Sequence, residues 1–156
     1  MQPLFHISFK YGYNALMELN DFLPYRLSIL SLKVSKGIAK HYENRFGINT
    51  SEWRILVILY KNPEINAKEI GLLSQMDKVR ISRTVKSLVK KSYLEQVTDP
   101  NDARSRIYQL SQSGKILMRA VIPDALRYEE QLLNQLTQVE QQQLHHLIEK
   151  LESLTE

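Results

Sequence analysis

A basic helical segment followed directly by a short hairpin constrains this chain more than any other feature. Residues 77–106 begin as an amphipathic run rich in lysine and arginine, continue through a β-prone stretch and a turn sequence, and end in arginines. A basic helix can enter the major groove of DNA, and a basic turn beside it can reach the minor groove. The segment therefore predicts a DNA-binding unit.

The charge distribution agrees with this prediction. Residues 67–106 hold nine lysines and arginines against five aspartates and glutamates, a net charge of +4, whereas residues 1–66 carry +3 and residues 107–156 carry −3. Neutralising phosphates and releasing their counterions supplies most non-specific affinity for DNA, and this requires a concentrated basic patch. A solvated basic helix face would give the same count, so charge alone leaves both interpretations open.

Composition excludes several other classes of protein. No apolar run reaches the ~18 residues that a membrane span needs, and the N-terminal sequence lacks the apolar core of a secretory signal. The chain has no cysteine, which fits a reducing cytosol and excludes a thiolate zinc site. No phosphate loop, Ser/His/Asp arrangement or H-E-x-x-H sequence is apparent, and the adjacent His145 and His146 face different directions on a helix. We therefore predict a cytoplasmic protein with no cofactor, no metal site and no enzymatic activity; His6, His41 and this pair would be the residues of an enzymatic alternative.

Apolar periodicity and capping residues predict a mainly helical chain with one hairpin. Helices are expected at about 23–45 (capped by Asn20 or Asp21), 51–62 (Thr50 or Ser51), 67–74 (Asn66) and 78–91 (Asp77), then from Ser111 or Ser113 onward and from Thr137 onward. Pro123 should kink or divide the long helix that contains it. Residues 94–97 and 106–110 alternate as the two strands of a hairpin around the turn sequence Asp-Pro-Asn-Asp.

These elements predict a winged helix-turn-helix with flanking helices. Residues 47–110 would form the DNA-binding region, and residues 21–46 and 111–156 a helical dimerisation region within one compact domain. Residues 1–20 are expected to be an N-terminal extension, although Phe5, Ile7, Phe9 and Tyr11 alternate as a strand would. Met17, just before the first strong helix, is where a native start would fall.

Helical spacing divides the basic helix into two faces. An apolar set is expected to face the core: Ile81, Val85, Leu88 and Val89. The outward-facing set is Lys78, Arg80, Ser82, Arg83 and Lys86. Because arginine can read guanine with two hydrogen bonds and lysine serves phosphates, we predict base contacts for Arg80 and Arg83 and backbone contacts for Lys78 and Lys86. Whether Ser82 reads a base or a phosphate stays open.

The hairpin tip carries an acid and an arginine two residues apart. In a tight turn the Asp102 carboxylate can hold the Arg104 guanidinium extended, and an oriented arginine suits a narrow, A·T-rich minor groove. Arg106, at the start of the returning strand, adds a third basic contact candidate to the wing. A surface salt bridge of little energetic value is the alternative for an isolated hairpin, but this one follows a basic helix directly.

At these residues the chain resembles the multiple-antibiotic-resistance regulator (MarR) family. The wing sequence Asp-Pro-Asn-Asp-Ala-Arg at 99–104, followed by Ile-Tyr-Gln-Leu-Ser at 107–111 and then Gly114, is similar to that family's D-x-x-D-x-R…L-[TS]-x-x-G signature. Asp102 and Arg104 fall on its defining acid and minor-groove arginine. Two departures matter: Ala103 stands where many members have a second basic residue, and Ser92 replaces the glycine common after the recognition helix.

The resemblance implies a homodimer, held by the first and last helices, that reads a palindrome of about 16 to 20 base pairs through recognition helices about one turn apart. The sequence agrees, because the terminal helices carry apolar stripes that a small winged helix cannot bury alone. The dimer candidates are Leu144, Leu147, Leu151 and Leu154. Packing within one chain is the alternative for some of them.

Members of this family are commonly repressors released by small aromatic or phenolic compounds. Three segments of this chain resemble the subgroup that responds to hydroxycinnamates and related acids: residues 23–27, 52–54 and 76–78. A pocket could pair stacking rings from Tyr25, Tyr42 and Trp53 with a cation from Arg26 or Arg54. Trp53 could equally be a core residue, and Arg54 could touch a phosphate or an acid. The alternatives for the whole chain are a regulator of efflux or stress genes with another lipophilic ligand, and a winged helix that binds only proteins.

Overall fold

The computed structural model describes residues 18–100 and 105–155, and this part of the chain contains helices and a small antiparallel sheet. In this part of the chain the elements are α1 (Leu23–Phe46), α2 (Thr50–Lys61), β1 (Ile65–Asn66), α3 (Ala67–Ser74), α4 (Lys78–Lys90), β2 (Leu94–Thr98), β3 (Arg106–Leu110), α5 (Gln112–Leu133) and α6 (Gln138–Glu152). The mainly helical fold with a hairpin wing is therefore confirmed. The strand-like alternation at residues 5–11 and Met17 lie outside the described residues.

The chain divides into two compact units, residues 1–35 and residues 36–156, and the boundary falls within α1. In the first unit the apolar stripe of α1 is exposed to solvent at Leu27, Leu30 and Val34. In the second unit the last residues of α1, α2 through β3, and α5 share one hydrophobic core. Its centre contains the fully buried Tyr42, Ile55, Ile70, Leu88 and Met118.

Short polar residues start each helix of the helix-turn-helix. Asn66 caps α3 and Asp77 caps α4, as the sequence predicts. The expected cap of α2 at Thr50 or Ser51 is wrong, because Asn49 holds that position in an extended conformation. Its amide oxygen accepts from the backbone N–H groups of Ser51 and Glu52, at 2.9 and 3.0 Å. A capping asparagine satisfies donors that the first turn of a helix leaves unpaired.

The sheet has three strands in the order β1-β3-β2, all antiparallel. The wing strands β2 and β3 confirm the predicted hairpin and pair in register, with Leu94 opposite Leu110 and Thr98 opposite Arg106. The two-residue strand β1 was not predicted; it pairs Ile65 with Tyr108 on the other edge of β3. Its pairing anchors the base of the wing to the start of α3.

The C-terminal helices begin where capping residues predict. Ser111, rather than Ser113, caps α5, and Thr137 forms a capping box with Glu140 at the start of α6. Of the two effects predicted for Pro123, division of the long helix is wrong, since α5 runs through it without interruption, and a kink stays a prediction. A proline removes only one backbone donor, and the turns just before it are held in the core by Leu117 and Val121.

The junction between α4 and the wing explains why a serine and a glycine stand where they do. Ser92 adopts a left-handed conformation, with φ 61°. Its N–H donates to Val89 O, and the Tyr93 N–H donates to Leu88 O, each at 2.9 Å, which forms a Schellman motif at the helix end. The turn thus keeps the shape a glycine would give it, although a side chain makes that shape less favourable.

Gly114 lets α5 approach this turn. A Cβ atom at position 114 would lie 2.2 Å from the Tyr93 carbonyl oxygen. The Gly114 N–H donates to the Ser111 hydroxyl oxygen at 3.0 Å, and that hydroxyl donates to Ser92 O at 2.6 Å. Ser111 and Gly114 together therefore join the end of the wing to the turn after α4.

Replacing Ser92 by glycine should stabilise the protein by about 1 kcal/mol, because glycine adopts the left-handed conformation without a Cβ penalty. Urea unfolding monitored by circular dichroism measures the change. Ser82→Gly is the control, because it places a glycine within the helix on the exposed face of α4 and should lower the free energy of unfolding by about 0.5 kcal/mol. A Ser92→Gly variant no more stable than the wild type would contradict the strain assigned to this turn.

Replacing Gly114 by alanine should cost about 1–3 kcal/mol, because the added methyl group overlaps the Tyr93 carbonyl and the backbone must shift. Alanine is otherwise the better helix former, so the intrinsic helix propensity acts in the opposite direction. The same unfolding experiment gives the answer. A Gly114→Ala protein as stable as the wild type would show that α5 does not depend on this close approach.

Candidate nucleic-acid interface

Helix α4 has a buried face and a cationic face, as its spacing predicts. Ile81, Thr84, Val85 and Leu88 are buried. All five residues of the outward-facing set are exposed: Lys78, Arg80, Ser82, Arg83 and Lys86. Contact between these side chains and DNA remains a prediction, but the structure leaves all five accessible from solvent.

The two arginines predicted to read bases have different surroundings. The Arg80 Nε–H donates to the Ser51 hydroxyl oxygen at 2.9 Å, which ties this side chain to the first turn of α2. Arg83 has no hydrogen-bond or ion-pair partner within the described residues and points away from the core, one turn after Val79. Of these two arginines, Arg83 is therefore the one without a partner among the described residues, while Arg80 lies beside the N-terminus of α2.

A buried carboxylate fixes the other end of α4. Glu52 of α2 is only 1% exposed. One of its oxygens accepts from the Ser87 hydroxyl at 2.6 Å, and the other accepts from the Lys91 ammonium at 2.8 Å and from the Asn49 N–H at 2.9 Å. Lys91 also donates to Gly47 O at 2.6 Å. We call Glu52, Ser87, Lys91 and Asn49 the Glu52 network.

Sequence reasoning missed the Glu52 network, although part of its signal was present. Asn49 and Glu52 are three residues apart, which is the spacing of a capping box, and the structure forms that box. The contacts with Ser87 and Lys91 join residues 35 and 39 positions apart, and no local pattern indicates them. The network holds the end of α4 against the start of α2 on the side where Arg80 meets Ser51.

Electrostatics keep Glu52 charged inside this network. Burial raises the pKa of the Glu52 carboxyl, but the hydrogen bonds from Lys91, Ser87 and Asn49, together with the charge of Lys91, lower it by more, so the pKa lies below its ordinary value. The charged form is thus the one that the folded protein prefers.

The wing is described except at its tip. Asp102 and Arg104, the predicted minor-groove pair, lie outside the described residues. At the base of the tip the Asp99 N–H donates to Ser105 O at 3.2 Å. Arg106 is exposed, and its guanidinium donates to the Thr98 hydroxyl on the opposite strand. Arg106 therefore lies on the wing with its side chain directed across the hairpin.

A cleft of about 850 Å³ lies between α4, α3 and the wing. Its walls include the apolar side chains of Ile81, Val85, Val89 and Tyr108. Four lysines also line it, Lys68, Lys78, Lys86 and Lys90, and no acidic residue is among its described lining residues. Sequence analysis did not predict this cleft, because its walls come from segments that are distant along the chain.

The residues predicted for a ligand pocket are not gathered into one open site within either unit. In the first unit Tyr25 and Arg26 are exposed. In the second, Tyr42 is fully buried and its ring stacks on Trp53, with centroids 5.2 Å apart and an angle of 20°. Tyr42 is thus a core residue, whose burial raises the pKa of its hydroxyl. Arg54 is exposed and donates to Ser74 O at 3.5 Å.

Within residues 18–100 and 105–155, no group of three or more histidines, aspartates or glutamates is arranged to hold a metal ion. No helix among these residues is long and apolar enough to cross a membrane.

Comparisons with known proteins agree with this geometry. The model of the MarR family matches residues 46–105, which contain α2, β1, α3, α4 and the first wing strand β2. The HTH-type transcriptional regulator SarZ of Staphylococcus epidermidis is 23% identical over 137 residues, which cover 86% of this chain and 89% of the relative. The chain is therefore similar to the MarR family over residues 46–105 and to a transcriptional regulator over most of its length.

Solved structures of the MarR family share the fold. A MarR/EmrR family transcriptional regulator from Acinetobacter sp. ADP1 is 28% identical, with a TM-score of 0.80 over 89% of this chain and 98% of that one. Sco3205, a MarR family regulator from Streptomyces coelicolor solved in complex with DNA, has a TM-score of 0.76 at 18% identity, over 88% of this chain and 89% of that one. The winged helix-turn-helix of this chain is therefore a MarR-type arrangement.

Replacing Glu52 by glutamine should destabilise the protein at neutral pH by about 1–3 kcal/mol, because a charged hydrogen-bond acceptor is lost from a buried site. Since the pKa of Glu52 is lower in the folded than in the unfolded chain, its stabilisation is complete above the unfolded value and is lost as pH falls through the folded value. The difference between wild type and Glu52→Gln should thus stay constant from about pH 7 to about pH 5 and shrink as the pH falls below about 4.5, the ordinary pKa of a glutamate.

Denaturant unfolding at several pH values tests this, with Glu69→Gln as a control for an exposed capping-box carboxylate on α3. A difference between wild type and Glu52→Gln that stayed constant below about pH 4.5 as well would show that Glu52 does not act as a charged group.

Proposed function

We propose that this MarR-type regulator binds a palindromic operator as a homodimer, with α4 in the major groove and the wing toward the minor groove. The observation that carries the proposal is the cationic face of α4, which is fully exposed while the opposite face is fixed in the core. A helix held in this way presents its side chains to DNA with little loss of conformational freedom on binding.

Within that interface the arginines and lysines have separate roles. Arg83 reads a guanine edge, and Lys78 and Lys86 neutralise phosphates. Arg80 contacts a phosphate beside the N-terminus of α2, because its hydrogen bond to Ser51 holds it there and a helix N-terminus favours an anion. Asp102 and Arg104 contact the minor groove from the tip of the wing, as the sequence motif implies.

The second copy of the chain covers the apolar faces of the terminal helices. Helix α6 has no buried residue in the single chain. Leu144, Leu147 and Leu151 are 39–55% exposed on it, and Leu154 follows just after its end. Exposed apolar stripes of this length mark a protein interface more often than a solvent-facing surface. Dimerisation would also set the spacing of the two α4 helices on DNA.

The regulator acts as a repressor that a small aromatic acid releases. An amphipathic anion fits the cleft between α4 and the wing, because apolar walls and four lysines can hold a ring and a carboxylate together. An acid bound there would compete with DNA for Lys78 and Lys86. An acid bound at the sequence-predicted residues Trp53 and Arg54 would act at a distance from DNA, by changing the spacing of the half-sites.

Replacing Arg83 by alanine should weaken binding to the operator by about 10- to 100-fold and relax the preference at one base pair, because one bidentate guanine contact is lost. Fluorescence anisotropy on the DNA upstream of the chain's own gene, over a salt series, measures this. Lys61→Ala is the matched control, since it removes one positive charge from the exposed end of α2. Equal, weak binding of the wild type to any duplex would overturn the proposal and favour a protein-interaction module.

A panel of aromatic acids in the same assay should reveal the site of release. If the acid competes with DNA for Lys78 and Lys86, the apparent affinity for the operator should keep falling as the acid concentration rises. An effector bound elsewhere predicts a plateau, because coupling between two sites is finite. If no acid weakens operator binding, the aromatic-acid effector is wrong, and a regulator with another lipophilic ligand takes its place.

A further inference from the structure

Val79 is an exposed apolar side chain on an otherwise polar surface of α4. It is 59% exposed, whereas the other valines and the leucine and isoleucine of this fully described helix are buried or partly buried. Lys78 and Arg80 flank it in the sequence. An exposed valine is not unusual on a protein surface, so its position on the helix has to decide whether it has a role.

Helical spacing places Val79 close to the line of α4 that is farthest from the core. Successive residues of an α-helix are rotated by about 100° around its axis. Val79 and Arg83 are each two residues from the buried Ile81, so each lies about 160° around the axis from it, on either side of the line directly opposite Ile81. The flanks on either side are already engaged: Arg80, Ser87 and Lys91 turn toward α2, and Lys78, Ser82 and Val89 line the cleft. Val79 and Arg83 therefore share the outer strip in the N-terminal half of α4, and Lys86 and Lys90 continue this strip toward the end of the helix.

The start of α4 is held firmly enough to keep Val79 in place. The Asp77 side chain accepts from the Arg80 N–H at 2.8 Å, and the Thr84 hydroxyl donates to Arg80 O at 2.8 Å. Val79 is the second residue of the helix. In helix-turn-helix proteins the N-terminal residues of the recognition helix contact base edges. The side chain of Val79 has no hydrogen-bonding atom, so it can gain energy only from an apolar group in the groove.

We propose that Val79 packs against the 5-methyl group of a thymine and thereby selects thymine at one position of each half-site. The thymine methyl is the one apolar group that base edges present in the major groove. Val79 and Arg83 are four residues apart, which is about 6 Å along the helix axis, and successive base pairs are about 3.4 Å apart along DNA. This thymine therefore lies within about two base pairs of the guanine contacted by Arg83. The inference rests on the proposed DNA-binding function.

Replacing thymine by deoxyuridine, one operator position at a time, removes only the methyl group and leaves the protein unchanged. At one thymine of each half-site the wild type should lose about fourfold in affinity, the value of one buried methyl group. Val79→Ala should lose affinity on the natural operator and then show no further loss with deoxyuridine at that position. Val79→Thr keeps the shape of the side chain and replaces one methyl by a hydroxyl, so its operator affinity should lie between those of the wild type and Val79→Ala.

Leu72→Ala is the matched control, because Leu72 is 65% exposed on α3 and not on α4; it should keep the full sensitivity to deoxyuridine. A wild type insensitive to deoxyuridine at every position would overturn the inference, and so would a Val79→Ala variant as sensitive as the wild type. If either of these results is found while the wild type still binds its operator tightly and specifically, the proposed function stands and only the role of Val79 is rejected. Absence of specific binding to any duplex would reject both.

Discussion

The orientation of α4 depends on the buried carboxylate of Glu52. That one group accepts hydrogen bonds from the start of α2, through Asn49, and from the end of α4, through Ser87 and Lys91. Lys91 extends the connection to the turn after α1, through Gly47 O. Removing one partner of a buried charge leaves the other uncompensated, which is far more costly than losing an exposed pair. The Glu52 network, together with the apolar face of α4 in the core, therefore holds α4 in the orientation that turns its cationic face toward solvent.

With that orientation fixed, each face of α4 has a distinct surrounding. One face completes the hydrophobic core, one meets the N-terminus of α2, and one borders the cleft beside the wing. The remaining outer strip begins with Val79 and Arg83, an apolar and a cationic group one turn apart, and Lys86 and Lys90 follow them toward the end of the helix. Because Lys78 and Lys86 belong both to the cleft and to the exposed cationic face, occupancy of the cleft and binding of DNA would affect each other directly.

Local patterns in the sequence predicted the elements well, because caps and alternation depend on neighbouring residues. The caps at Asn66, Asp77 and Thr137 and the strands of the wing are examples. What local patterns could not indicate was contact between distant segments: strand β1 exists only through its pairing with β3, and the partners of Glu52 come from another helix. The exposed face of α4 was predicted in full, but the bond from Arg80 to Ser51 and the buried stack of Tyr42 on Trp53 required three-dimensional packing.

The ratio of two affinities shows whether the outer face of α4 reads a specific DNA sequence. The wild-type protein would be titrated, at physiological salt, with its operator and with a scrambled duplex of equal length and composition. We expect a preference of at least about 10³ for the operator, which is typical of sequence-specific regulators. Equal affinities for the two duplexes would contradict it, because they would leave only the attraction of a basic surface to phosphates.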